Sequence, residues 1–288
     1  MRCFAVVPIL LLTAALILTF LCLFAGHKQG FLENFQILSL NVSQLGEQSF
    51  LTVTQDNSEI GQLFGALPEN VQSAISQGVN TAAQSLGIPE FYNVNIMTVC
   101  QGDYDPNALA EDASRNVTDC SDMRAGYRFD PRDQIQDEID ARGLNIDISQ
   151  LGWPDALDDA LSVVEPITLG AFVLYVVNCA VIFIALIFSI MAIFTSGRLS
   201  ACCNVGFNLL AFLISAATSA IITVVAVYGS DLINQYGEEY GVLASSGTSF
   251  LILTWFATGC LLVTALLWCV DCCCLSGRRK RKSEPKYG

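Results

Sequence analysis

The side chains that could do chemistry in this chain are few. His27 is the sole histidine, which excludes histidine-based triads and multi-histidine metal sites. The sequence holds no phosphate loop, no nucleotide fingerprint and no paired carboxylates that spacing identifies. Asp103, Asp105 and Asn107 open like a calcium loop, but Ala108 stands where that loop needs glycine and Ser114 where it needs a bidentate glutamate. A solvated acidic surface is the reading those residues favour. Neither an enzyme nor a cofactor or metal is expected. A formal charge of −13 gives no footprint for nucleic acid.

Cysteine and the modifiable side chains carry more information. Of the 12 cysteines, only Cys100 and Cys120 lie outside the apolar segments and their ends. Polar, turn-forming and acidic residues fill the interval, so this loop gains most from covalent closure, about 3 kcal/mol in the chain-entropy picture. A mutual disulfide is expected, two free structural thiols being the alternative. Asn41-Val42-Ser43 and Asn116-Val117-Thr118 are glycosylation sequons. Cys202, Cys203, Cys269, Cys272, Cys273 and Cys274 stand where apolar runs end, as candidates for reversible palmitoylation or as reduced apolar filler. Arg278, Arg279, Lys280, Arg281 and Lys282 form a stop-transfer cluster. Such a cluster also attracts the anionic inner leaflet, at about 1 kcal/mol per basic residue near the surface.

These groups are positioned by membrane spans. The chain is 53% hydrophobic and 14% charged, and four runs free of charge supply the excess: Phe4 to Phe24, Ile167 to Phe194, Val205 to Tyr228 and Phe250 to Val270. At a rise of about 1.5 Å per residue each covers a hydrocarbon core of roughly 30 Å. Residues 26–165 hold 22 acidic and 6 basic side chains, a balance of −16, against +3 for the remainder. The basic residues cluster at the other span ends, so the positive-inside rule places both termini in the cytoplasm. The expected plan is a cytoplasmic N-terminus (1–3), spans at 4–25, 166–194, 205–228 and 249–270, and an extracellular domain at 26–165. A cytoplasmic turn (195–204), a second outer loop (229–248) and a polybasic tail (271–288) complete it. The first run is longer than a signal-peptide core and no clear cleavage site follows, so a retained anchor is expected.

Within the outer segment, Tyr92, Val94 and Ile96 alternate with Asn93, Asn95 and Met97 as in a half-buried strand. Leu38, Leu40 and Val42 are expected to form a hairpin with Leu51 and Val53. Helices are expected from Leu67 to Gly87 and from Asp130-Pro131 to Gly143, with Leu144, Ile146 and Ile148 alternating afterwards. Loop 229–248 is expected to pack on this small α+β domain. In the third span, Asn208, Ala211, Ser215, Ser219 and Thr223 recur at steps of three or four. Ala211, Ser215 and Ser219 are the small-residue face by which helices approach in lipid, meeting either a neighbouring span or another copy in a homo-oligomer. No ionisable residue lies within these runs, which argues against a channel or coupled transporter.

With four spans, a large first outer segment, a short second one and the run FYNVNIMTVCQGDY…NVTDCS…YRFDP, the chain resembles the fungal Sur/PalI family. That family is itself similar in plan to claudins. The resemblance is most specific at Tyr92 to Gly102, Cys120, Phe129-Asp130-Pro131 and Trp255. It implies a four-transmembrane-helix, claudin-like bundle with a small α+β disulfide-bonded extracellular domain. Its implied function is a plasma-membrane organiser of cortical domains of the eisosome type, supporting cell-wall integrity, with cortical scaffold proteins or wall components as partners. A PalI-like accessory sensor of ambient pH or wall stress is the alternative, and a claudin-like adhesion or membrane-fusion protein a third. Asn95-Ile96-Met97 stand where claudin-like proteins carry Gly-Leu-Trp before the first cysteine, so the claudin likeness implies architecture more than paracellular function.

Overall fold

The computed structural model describes residues 5–44, 89–105, 108, 113–125, 131–141, 155–195, 198–238 and 241–275. The chain divides into two compact units, one of residues 1–24, 171–222 and 250–288, the other of 25–170 and 223–249.

The first unit is a bundle drawn from α1 (Val6–Phe24), α3 (Asp155–Phe194), α4 (Arg198–Gly237) and α5 (Thr248–Val270). All four helices are long and apolar enough to cross a membrane. Its distribution of side chains fits lipid as the solvent. Leu10, Phe183, Leu213, Ile252, Phe256 and Leu266 point outward, while Ser189, Asn204, Asn208, Ser215, Ser219, Thr254, Thr258 and Thr264 are buried. Lipid gives no hydrophobic drive for apolar side chains to turn inward, so small and polar groups take the interhelical positions. All four helices meet in one cluster of Leu12, Ala15, Ile182, Ala185, Ala211, Cys260 and Leu261.

The helices outrun the apolar runs. The expected start of the second span at Pro166 falls inside α3, which begins at Asp155 and continues through the proline. Proline forfeits one backbone bond there, yet the flanking turns hold the helix. Helix α4 spans 40 residues, a length of about 60 Å, and passes the expected limit of Tyr228. Asp231 lies exposed on this extension.

The second unit is built on a five-stranded sheet in the order β4-β3-β2-β1-β5. Its strands are β1 (Leu38–Asn41), β2 (Phe91–Val94), β3 (Val99–Asp105), β4 (Ser114–Cys120) and β5 (Leu243–Ser246), all antiparallel to their neighbours. Three expectations change. The interval between Cys100 and Cys120 is not a loop: most of it is the β3–β4 hairpin. Its outer strand is polar because it is an edge, with Val117 its one buried residue. Strand β1 pairs with β2 on one side and β5 on the other, so its ladder leaves no side for the hairpin expected with 51–54. Those residues, with the helix expected at 67–87 and the strand at 144–148, lie outside the described residues. The segment Tyr92 to Met97, expected as a half-buried strand, is instead a shorter strand, β2, with Asn93 buried as well as Tyr92, while the loop expected to pack on the domain does so by contributing β5 to its sheet. Helix α2 (Pro131–Ala141) starts at the expected proline, with Asp133 in its first turn.

Both edges of the sheet are protected against further pairing. On β5, the Asn234 side chain acts as a substitute strand: its Oδ1 accepts from the Ala244 amide at 2.6 Å and its Nδ2 donates to the Ala244 carbonyl at 3.0 Å. On β4, Arg115, Asn116, Thr118 and Asp119 are exposed. Thr118 is an extra residue, since Gln101 faces Asp119 but Gly102 faces Val117. At this bulge the backbones close in. A Cβ on Gly102 would meet the Asn116 carbonyl and lie 2.7 Å from the Phe91 ring, so glycine is required by space.

Candidate functional site

In the sheet unit, the β3–β4 register puts Cys100 directly opposite Cys120, and the two form a disulfide. Cys100 packs with Phe91 and Val117, flanked by Tyr104. The Phe91 ring meets Tyr104 edge-on at 5.3 Å and Arg115 lies 5.8 Å from its centroid. The chain after α1 is tied to the same hairpin: Thr98 Oγ1 donates to the Gly26 carbonyl at 2.8 Å and Gln29 Nε2 to the Val117 carbonyl at 2.6 Å. Gly26 has φ +67°, a conformation that suits glycine. Glu90 is fully buried, and its carboxylate accepts from the Tyr104 amide at 2.8 Å. This makes the acid a structural partner of the strand.

The two sequons sit in different surroundings. Asn116 is exposed on the edge strand, with Thr118 exposed beside it. Asn41 ends β1, and its Oδ1 accepts from the Ser43 amide at 3.0 Å while Ser43 itself is buried.

In the bundle, the stripe on α4 faces α5. Ser215 Oγ lies 2.7 Å from Thr258 Oγ1. Ser219 Oγ lies 3.0 Å from Thr254 Oγ1 and 2.9 Å from Thr258 Oγ1. A step of four residues up α4 is matched by four down α5, the signature of antiparallel neighbours. Tyr175 of α3 joins through its phenol, 2.8 Å from Thr254 Oγ1. Toward the other end, Ser189 Oγ donates to Asn204 Oδ1 at 3.0 Å, linking α3 to α4. Ala211 is buried in the four-helix cluster. The hydroxyls and amides of this seam neither gain nor lose protons near neutral pH. Among the described residues of the bundle, the amide oxygens of Asn178 and Asn208 are buried without a hydrogen-bond partner.

Sequence reading found the α4 stripe but not Tyr175, Thr254 and Thr258, which complete it. The signal was present, because Thr254 and Thr258 stand four apart in the last span and therefore share a face. The cysteines at the span ends are brought together in part. Cys202, at the start of α4, has its Sγ 3.3 Å from that of Cys272, in the π-helical turn Asp271–Leu275 that follows α5. Cys273 is exposed, and Cys203 and Cys269 are half-buried. Cys274 lies in the same turn. The cluster from Arg278 to Lys282 lies outside the described residues. Among the described residues no group of three or more His, Cys, Asp or Glu is placed to hold a metal. Asp103 and Asp105 lie on β3, in strand rather than loop geometry.

The sequence matches the SUR7/PalI family over residues 4–267, and the chain belongs to that family. It is a multi-pass membrane protein of tetraspan, claudin-like type. No curated protein and no solved structure matches it.

Proposed function

We propose that this SUR7/PalI family member is a non-enzymatic plasma-membrane protein that organises cortical membrane domains of the eisosome type and supports cell-wall integrity. The observation that carries this reading is the bundle interior. Among the described residues its buried polar groups are mostly serine, threonine and asparagine side chains, several engaged with each other or with the Tyr175 phenol between helices. Among the described residues, the one buried acid of this unit, Asp271, stands beyond the end of α5. Such an interior suits a rigid body held in lipid and lacks the intramembrane charges by which ion and proton pathways are built.

In the proposed topology both termini are cytoplasmic and the disulfide-closed sheet faces outward, where an oxidising compartment preserves the bond. The sheet then meets wall components, and the tail from Arg278 to Lys282 engages anionic inner-leaflet lipid or a cortical scaffold protein. Deleting the gene in its native cell tests the reading. Loss of ordered cortical patches with sensitivity to wall-perturbing agents supports an organiser. Intact patches with loss only of alkaline response would make the protein a PalI-like sensor instead.

A further inference from the structure

We propose that Cys202 and Cys272 are a thiol pair that oxidises to a disulfide, a modification site at the span ends distinct from the Cys100–Cys120 bridge. Three observations converge on it. The two sulfurs are 3.3 Å apart although 70 residues separate them in sequence. Cys202 is exposed and Cys272 half-buried, so a small oxidant reaches at least one of them. Cys272 belongs to a π-helical turn, and this wider turn, which often marks functional positions, takes over directly from α5. Closing the bond requires the sulfurs to approach from 3.3 Å to about 2.05 Å.

The oxidant is a peroxide. One cysteine sulfur attacks a peroxide oxygen, the O–O bond breaks, and water leaves with a sulfenic acid formed on that cysteine. The second sulfur, as thiolate, attacks the sulfenyl sulfur. The S–S bond forms, the S–O bond breaks, and the departing hydroxide takes a proton to leave as a second water. Peroxide is reduced by two electrons and the two thiols are oxidised by two.

The product would fasten the start of α4 to the turn after α5. Acylation and oxidation exclude each other here, because a thioester on either sulfur removes one of the two thiols that the bond needs. In the topology proposed above this end is cytosolic. There the reducing pool returns the pair to thiols, so the disulfide is a transient response to peroxide.

The test uses full-length protein in isolated native membranes, treated with neutral hydroxylamine to free any thioester, then with hydrogen peroxide, then with a thiol-blocking maleimide. Non-reducing peptide mapping should recover a peptide containing Cys202 joined within one chain to a peptide containing Cys272. In Cys202→Ser and in Cys272→Ser its yield should fall by roughly tenfold or more, the advantage of held proximity over chance encounter. In at least one of the two variants a dimedone-type probe should trap sulfenic acid on the remaining partner. Cys203→Ser and Cys273→Ser should cross-link like the parent, which separates the named pair from its neighbours. The proposal is overturned if the cross-link survives Cys202→Ser or Cys272→Ser, if it forms only between chains, or if peroxide consumes the thiols without joining them.

Discussion

Replacing Ser219 tests whether the polar seam of the bundle is an internal joint. Ser219 is fully buried, and its hydroxyl serves Thr254 at 3.0 Å and Thr258 at 2.9 Å. Ser219→Ala removes that hydroxyl but orphans neither partner: Thr254 keeps the Tyr175 phenol at 2.8 Å and Thr258 keeps Ser215 at 2.7 Å. The expected loss is about 0.6 kcal/mol for each of the two bonds, the average for an interhelical bond in membranes. Ser219→Leu loses the same bonds and forces a larger, branched side chain between α4 and α5. Overpacking adds roughly 1–3 kcal/mol, enough to lower surface delivery as well as stability. Denaturant titration of the monomer in mixed micelles, with surface labelling in cells, reads both effects. The expected order is wild type, then Ala close behind, then Leu far below. If Ser219→Leu unfolds and traffics like wild type and loses only cross-linked dimers, the seam joins separate copies and the reasoning fails.

Gly102→Ala should destabilise the sheet unit by roughly 1–3 kcal/mol, because its Cβ meets the Asn116 carbonyl and β4 must move; thermal unfolding compared with an exposed-site control measures this. Asn234→Ala removes two hydrogen bonds from Ala244, worth about 0.5–1.5 kcal/mol each. Hydrogen exchange should accelerate at Ala244 while the β2–β3 amides keep their protection. Asn116→Gln should shift the glycosylated protein on a gel and Asn41→Gln should not, because Asn116 is exposed whereas Ser43, which completes the Asn41 sequon, is buried; a glycan found on Asn41 alone would refute that assignment.

Where one physical rule dominated, the sequence was readable. An uninterrupted apolar run has one stable solution in lipid, so the four spans followed directly, and Asp130-Pro131 announced α2 through its cap chemistry. Strand β2 was found through the alternation of Tyr92 and Val94 with Asn93, but that pattern misread its setting: Asn93 is buried with its neighbours, so the strand is covered on both faces. Strand β4 was not found, since an edge strand with one buried residue and a bulge at Thr118 carries no period of two. The β1–β5 pairing was hidden for a different reason: it joins Leu40 to Ala244 across most of the chain, and no local pattern encodes a contact of that range. Apolarity located the spans but not the helix ends, because α3 and α4 continue in residues that are no longer apolar. The α4 stripe was legible and its partners were not, since spacing defines a face without saying which helix it meets. The Cys202–Cys272 approach depends on that same tertiary choice.

The most direct test of the organising role is fluorescence recovery after photobleaching of a functional tagged copy expressed at native level in its own cell. A protein built into stable cortical domains should appear as fixed patches at the cell edge, with little recovery over minutes inside a bleached patch. Uniform distribution with recovery in seconds, or residence in an internal membrane, would contradict the account.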